Sequence, residues 1–351
     1  MNVHPILRAL LWPFSVVFEA IVRLRAFFYR AGIFRQRRLQ GVIISVGNLT
    51  VGGTGKTPMV QWIAQRLFDS GRRVGILSRG YHGTVRPDSI PLKVAGAALR
   101  QRLSDEVWLL GQRLGENARL GVGADRFAHG LALERMGIEC FVLDDGFQHL
   151  QLARDVDVVL IDATNPFGGG RLLPAGRLRE PLSALARADV IVITRSEHAP
   201  AIEATVQRYS TAPIFYAQTQ LDEVRIAENT SVPGGPAQWL GRKVFAFCAI
   251  GNSAAFFEDV RQWGMELVGR REFPDHHRYV SGDATQIENK ACAAGAEALV
   301  CTQKDIYNLR DVCFRNLPLY SCQINMRISE PDRLWETILA IVMRKRQEGP
   351  R

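Results

Sequence analysis

No Cys-x-x-Cys pair occurs in this chain of 351 residues, although cysteines stand at positions 140, 248, 292, 301, 313 and 322. Neither a zinc ribbon nor a thioredoxin-like redox motif is therefore indicated. Apolar neighbours around most of the six suggest small buried hydrophobes in a reducing cytoplasm. The N-terminus lacks a small-residue cleavage site before a polar region, so it does not read as a secretory signal. Its uncharged run stops at Glu19, short of the ~20 apolar residues that a membrane span needs. Internal repeats and low-complexity tracts are not evident. There is no Asn-Lys-x-Asp stretch of the sort that reads guanine, which counts against a GTP switch. Acids are scarce at one end: residues 1–40 hold seven arginines against Glu19 alone, +6 of a net +9. The rest of the chain is nearly balanced, so no nucleic-acid surface is expected over the body.

What is present is ordinary globular material, 47% hydrophobic and 23% charged, in a chain long enough for a full core and two domains. Its centre is the stretch 42–68. Val42 to Val46 is an apolar, β-branched run, as in a buried strand. A turn with Gly47, Gly52, Gly53, Thr54 and Gly55 follows. Lys56 and Thr57 then open a helix with apolar residues at Val60, Ile63, Ala64, Leu67 and Phe68. Strand, glycine loop, Gly-Lys-Thr and helix form a phosphate cradle, because loop amides and the helix N-terminus point at an anion. Lys56 would reach the β/γ-phosphates of a nucleoside triphosphate, and the Thr57 hydroxyl would hold Mg²⁺. Thr50 stands where the strict pattern has glycine.

Ahead of this loop, Leu7, Leu10, Leu11, Phe14, Val17, Phe18, Ile21, Leu24, Phe27 and Phe28 follow three- and four-residue steps. Arg8, Ser15, Glu19, Arg23 and Arg30 fall mostly on the other side. Pro13 suits a first turn, or lies inside a helix that begins earlier. Such a helix fits a membrane interface, with arginines near anionic headgroups; a helix packed on the protein's own core is the alternative. Beyond the loop, Arg73 to Leu77 reads as a strand ending in the polar turn Ser78-Arg79-Gly80-Tyr81-His82-Gly83, where open α/β sheets place ligands. Residues from Thr84 to about Gln101 read as a loop with edge structure. Ser104-Asp105-Glu106 looks like an N-cap with two acids, and spacing alone favours capping over a carboxylate facing a nucleotide. Asp125-Arg126 starts a helical stretch.

Cys140 to Asp145 is an apolar strand ending in two acids. Downstream of a phosphate loop, Asp144 and Asp145 are candidates for the Mg²⁺ shell. Val156 to Ile161 and Val190 to Thr194 are further strands, with an amphipathic stretch from Leu182 to Ala188. Asn165 to Pro181 is a long basic loop carrying Arg171, Arg177 and Arg179, suited to phosphate contact. The alternation argues a parallel sheet with helices on both faces. The pattern restarts near Ile214 with a strand from Val244 to Ile250 and helices at 254–263 and 334–343. The expected division is an N-terminal helix over 1–38, a phosphate-loop core over 39–214 and a smaller α/β domain over 215–351. Asp275-His276-His277 lacks ligand spacing for a structural metal; acid–base work by one histidine or a plain surface loop remain open.

These blocks together resemble the tetraacyldisaccharide 4'-kinase family of lipid A biosynthesis in Gram-negative bacteria. The matching stretches are SVGNLTVGGTGKTP at 45–58, ILSRGY at 76–81, SDE at 104–106, VLDDGFQH at 142–149, LLPAGRLREP at 172–181, FPDHHRY at 273–279 and TQKD at 302–305. Thr50 is part of that likeness. The resemblance implies transfer of phosphate from ATP, with Mg²⁺, to the 4'-hydroxyl of a tetraacyl glucosamine disaccharide 1-phosphate, giving lipid IV-A. It implies a monotopic enzyme on the cytoplasmic face of the inner membrane, acting on a membrane-embedded lipid A precursor, with no protein partner. It also implies an acid–base dyad of Asp105 and His276, with His277 the alternative to His276, and supporting contacts from Glu106, Arg126 and Arg177. The rivals are a phosphate-loop kinase or ligase for a soluble substrate, and a membrane-associated nucleotide switch.

Overall fold

A computed structural model describes residues 5–80, 90–91, 103–226, 236–309 and 312–348. Tyr81-His82-Gly83 and the stretch from Thr84 to Gln101, save for Ile90–Pro91, lie outside the described residues. The chain forms two compact units, Met1–Gln218 with Ile328–Arg351, and Thr219–Arg327.

The first unit is built on strands β1 (Val42–Asn48), β2 (Val74–Ser78), β3 (Ile90–Pro91), β4 (Ala118–Val122), β5 (Cys140–Asp144), β6 (Val156–Asp162), β7 (Val190–Thr194) and the start of β8 (Ile214–Ile226). They lie in the order β8-β7-β6-β1-β5-β2-β4-β3. β1 pairs in parallel with β5 and β6, and β3 runs antiparallel on β4. Ile43, Ile44 and Val46 are fully buried, as a middle strand with both faces covered requires. Because neighbouring strands run parallel, their C-terminal ends share one edge of the sheet. Val46 stands opposite Asp144 in the register, so the chain segments that follow β1 and β5 emerge side by side.

Helices α1 (Pro5–Arg30), α2 (Lys56–Asp69), α3 (Asp105–Leu114), α4 (Arg126–Arg135) and α5 (Pro200–Gln207) belong to this unit. On α2, Met59, Val60, Ile63, Ala64 and Leu67 are buried. Phe68, counted in the same stripe from spacing, is exposed although its neighbour Leu67 is buried, because successive helical residues point about 100° apart and Phe68 falls at the edge of the stripe. Leu182–Arg187, read from sequence as an amphipathic stretch, is a 3₁₀ turn that buries Ala184 and Leu185. Pro13 lies inside α1, which starts at Pro5.

The face of α1 turned to the protein carries a polar side chain. Among residues 10–30 the buried side chain is Ser15, placed above on the polar side, while Leu10, Trp12, Phe14, Val17, Ile21, Leu24 and Phe27 are exposed. Phe18, partly buried, packs against the cluster of Leu49, Leu172 and Leu178. Glu19 and Arg23 pair along the helix.

The second unit holds the end of β8, β9 (Lys243–Cys248), β10 (Glu266–Glu272), β11 (Ala298–Thr302) and β12 (Leu319–Ile328), in the order β10-β9-β11-β12-β8. Helices α6 (Ser253–Gln262), α7 (Ser281–Ala293) and α8 (Gln303–Leu309) accompany them. Alternation along β9 sends Val244, Ala246 and Cys248 to one core cluster. Phe245, Phe247 and Ala249 join the other, as the two-residue period of a strand dictates. Cys140, Cys248, Cys301 and Cys322 are buried thiols, whereas Cys292 and Cys313 are exposed.

After β12 the chain returns to the first unit with α9 (Pro331–Gln347), burying Leu334, Ile338 and Val342. The sequence pattern cut the chain at 214/215 and assigned this helix to the second domain. By contacts, 328–351 group with the first unit and β8 continues across the cut. The physical reason is long-range pairing: Lys345 bonds Asp189 at 2.7 Å and Arg346 reaches Asp155 at 3.3 Å.

Candidate active site

The loop after β1 is held open by its own polar side chains. Asn48 donates through Nδ2 to the Thr50 carbonyl at 2.8 Å, and its Oδ1 accepts from Lys56 Nζ at 3.2 Å. Gly55 precedes α2 at φ 84°, a left-handed conformation that glycine adopts without strain. Gly47 is needed for a different reason. A Cβ there would stand 2.6 Å from the Cβ of Phe147, so only glycine lets the turn after β5 pass this closely. The Thr194 hydroxyl, at the end of β7, donates to the Thr54 carbonyl at 3.2 Å. Thr54 and Thr57 are buried.

The two acids after β5 differ sharply. Asp144 is buried and accepts from the Ser78 hydroxyl at 3.1 Å. Burial, then the charges of Glu106 and Asp145, push its carboxyl up to about 6 against the pull of Lys56. Asp145 sits in the left-handed region at φ 49°, sparsely populated by non-glycine residues and often found at functional sites. Burial acts to raise its carboxyl too, but Lys56 and Arg179 outweigh it and hold the group at about 2. Lys56 Nζ lies 3.4 Å from Asp145, and Arg179 Nη1 donates to both of its oxygens at 2.8 and 2.7 Å.

Arg126 is buried on α4 and donates to the Asp144 carbonyl at 3.4 Å and to His149 Nδ1 at 3.0 Å. Burial, then Arg126 and Arg154, push His149 down to about 4. Its ring is therefore neutral, and Nδ1 accepts from the guanidinium. Arg177 donates through Nε and Nη2 to the Val51 carbonyl at 3.3 and 3.0 Å. Asp105 and Glu106 stand in the first turn of α3 beneath a Ser104 cap that accepts from Val107 N at 3.4 Å. Buried Asp105 accepts from Glu106 N at 2.9 Å.

In the first unit the structure thus gathers Lys56, Thr57, Asp144, Asp145, Glu106 and Arg126 around one sheet edge, with Arg177 on the glycine loop. His276 belongs to the second unit, at φ 60°, donating its amide to the Ala249 carbonyl at 3.1 Å. His277 is committed: Nε2 lies 2.9 Å from Asp283 Oδ2, and its ring stacks on Phe273 at 4.8 Å. Three contributors were not singled out as site residues from sequence. Asn48, Ser78 and Arg179 all lie inside the quoted motifs, which was the available signal, but their partners are fixed only by folding.

A glycine loop between the middle strand of a parallel sheet and the helix that covers it puts this chain among the phosphate-loop nucleotide-binding proteins. Comparison narrows the class. The family model described as Tetraacyldisaccharide-1-P 4'-kinase matches residues 7–343, and the chain belongs to that family. It is 38% identical over 339 residues to the tetraacyldisaccharide 4'-kinase of Pelobacter propionicus, covering 95% of this chain and 92% of that one. With the Geobacter metallireducens protein of the same name it shares 39% over 338 residues, covering 93% and 96%. A crystal structure of LpxK from Aquifex aeolicus in complex with ATP is similar at a TM-score of 0.71 and 28% identity, over 96% of this chain and 99% of that chain.

Proposed function

We propose that this chain transfers the γ-phosphate of ATP to the 4'-hydroxyl of a tetraacyl glucosamine disaccharide 1-phosphate, giving lipid IV-A in lipid A biosynthesis. The observation that carries the reading is the family match over residues 7–343, joined to a glycine loop whose lysine pairs with Asp145.

The residues present fit the nucleotide and its ion. Thr54 Oγ1 is buried and finds no hydrogen-bond partner among the described residues. A Cβ on Gly53 would meet nothing within 4 Å. The loop thus offers an unused hydroxyl and open room. Thr57, Asp144 and Asp145 are hard oxygen donors of the kind Mg²⁺ takes. Among the described residues no group of three His, Cys, Asp or Glu is set for a metal, and none is needed where phosphate oxygens and waters complete the shell. Bound there, Mg²⁺ supplies charge neutralisation for phosphoryl transfer.

In this reading Lys56 binds the β/γ-phosphates while Asp145 and Asn48 aim its ammonium. A ring nitrogen of His276 takes the proton from the 4'-hydroxyl as its oxygen bonds the γ-phosphorus and the bond from that phosphorus to the β-phosphate oxygen breaks, releasing ADP, with Asp105 as the carboxylate of the dyad. His276 is taken as the base; its Nε2 lies 3.8 Å from Asp275 Oδ1, while His277 Nε2 lies 2.9 Å from Asp283 Oδ2 with its ring stacked on Phe273. Glu106, Arg126 and Arg177 serve as supporting contacts to nucleotide, ion or acceptor. The enzyme rests by α1 on the cytoplasmic face of the inner membrane, where the acceptor's acyl chains stay in the bilayer. The outward apolar residues of α1, with Arg23, Arg25 and Arg30, support this. Among the described residues no helix is long and apolar enough to cross a membrane.

The test is incubation with γ-labelled ATP, Mg²⁺ and the tetraacyl disaccharide 1-phosphate. Label is expected in the lipid, and its absence would sink the reading. Asp105→Ala and His276→Ala should each lower kcat by roughly 10²-fold or more with little change in ATP affinity. A parallel loss of affinity would mean that these two residues are misassigned. Full activity after removal of residues 1–35 would favour a kinase for a soluble substrate.

A further inference from the structure

A helix as apolar as α1 would ordinarily be seated by apolar side chains. Here the buried side chain among residues 10–30 is a serine, 7% exposed. Its hydroxyl accepts from Ala175 N at 2.9 Å and donates to the Leu172 carbonyl at 3.1 Å. A hydroxyl has one proton. The Leu172 contact takes it in preference to the longer 3.4 Å contact with Leu11 O of the same helix.

The turn gripped in this way is closed by Gly176 N on Leu172 O at 2.9 Å, and Leu173 N bonds Leu178 O at 2.9 Å. Leu178 bridges Thr50 in antiparallel fashion. Arg179 N bonds Leu49 O at 2.7 Å and Val51 N bonds Arg177 O at 2.8 Å. The basic loop is therefore laid along the first residues of the phosphate loop, and Arg179 closes the path on Asp145, the partner of Lys56. Besides Ser15, the helix is held by Phe18 on the Leu172–Leu178 cluster and by Arg25 on the Gln148 carbonyl at 3.1 Å.

We propose that Ser15 is a positioning residue coupling the seat of α1 to the phosphate loop, so that a lipid surface taking up the outward face of α1 tightens nucleotide binding. This rests on the membrane-surface reading above. The physical argument is that immersion of the apolar face fixes the helix orientation. The hydroxyl then fixes the turn at 172–176, whose backbone bonds set Thr50, Val51 and Arg179. Linkage makes the effect reciprocal: nucleotide must tighten lipid binding by the same factor.

The experiment uses the full chain, Mg²⁺, a non-hydrolysable ATP analogue, and vesicles of phosphatidylethanolamine with phosphatidylglycerol. Vesicles should lower the analogue Kd by about fivefold or more, and the analogue should strengthen vesicle binding by the same factor. Ser15→Ala leaves the outward face intact. It should bind vesicles as the wild type does without nucleotide, yet show the same analogue Kd with and without them. Ser15→Thr, which keeps the hydroxyl, should keep the coupling, and a melting temperature for each variant checks that it is folded. Vesicle binding with no change in analogue affinity, or coupling that survives in Ser15→Ala, overturns the inference alone. No vesicle binding by the wild type overturns the membrane reading and this inference with it.

Discussion

The two long helices of the first unit, α1 and α9, carry the same kind of sequence signal and put it to opposite use. α9 turns Leu334, Ile338 and Val342 inward, spaced by four residues, and finishes with Lys345 on the half-buried Asp189 and Arg346 on the buried Asp155, the residues just ahead of β7 and β6. α1 is the longer at 26 residues and more apolar, yet its large side chains face outward and a serine faces in. An apolar stripe at helical spacing says that a face exists. What covers that face is not written in the stripe: in α9 it is the first unit's own core, while in α1 the stripe stays exposed.

Three substitutions would break or sharpen the contrast. Ile338→Ala should destabilise the fold by about 2–5 kcal/mol in urea unfolding, since a fully buried side chain leaves a cavity. Phe14→Ala, at a site 65% exposed, should leave unfolding within about 0.5 kcal/mol of wild type. It should instead weaken vesicle binding by roughly tenfold or more, the loss expected from ~1.5–3 kcal/mol of apolar burial. If Phe14→Ala costs as much stability as Ile338→Ala, α1 belongs to the core and the contrast fails. The smallest effect belongs to Lys345→Ala. Its pair with Asp189 is partly solvated, so the loss should stay near ~1 kcal/mol or below and shrink with added salt.

Much of the sheet was legible from sequence because its strands are buried on both faces. β5 and β7 open as uninterrupted apolar runs, and β1 and β6 as apolar runs broken only by Ser45 and Asp157. The phosphate loop was equally plain, since glycine, lysine and threonine at fixed spacing have few other uses. The neighbours of the loop were harder. Arg179 pairs with an acid 34 positions away, and nothing in the spacing selects it over Arg171. Asp144 and Asp145 are adjacent and chemically identical, yet one is pushed up and the other held down. Only folding sets Asp144 among Glu106 and Asp145, and Asp145 between Lys56 and Arg179. Ser15 was read with the polar side of α1, but its burial was not legible, because hydropathy does not count a hydroxyl that finds two backbone partners.

The return of α9 to the first unit bears on the order in which the protein can be made. A ribosome releases the chain from its N-terminus, so residues 219–327 are all synthesised before Leu334 and Ile338 exist. The second unit can complete its core while the first still lacks the helix that carries Leu334, Ile338 and Val342 into it. A message truncated just after β12 would therefore spare every residue of the second unit and leave the first, N-terminal unit without its last helix, the reverse of what the position of the lesion suggests.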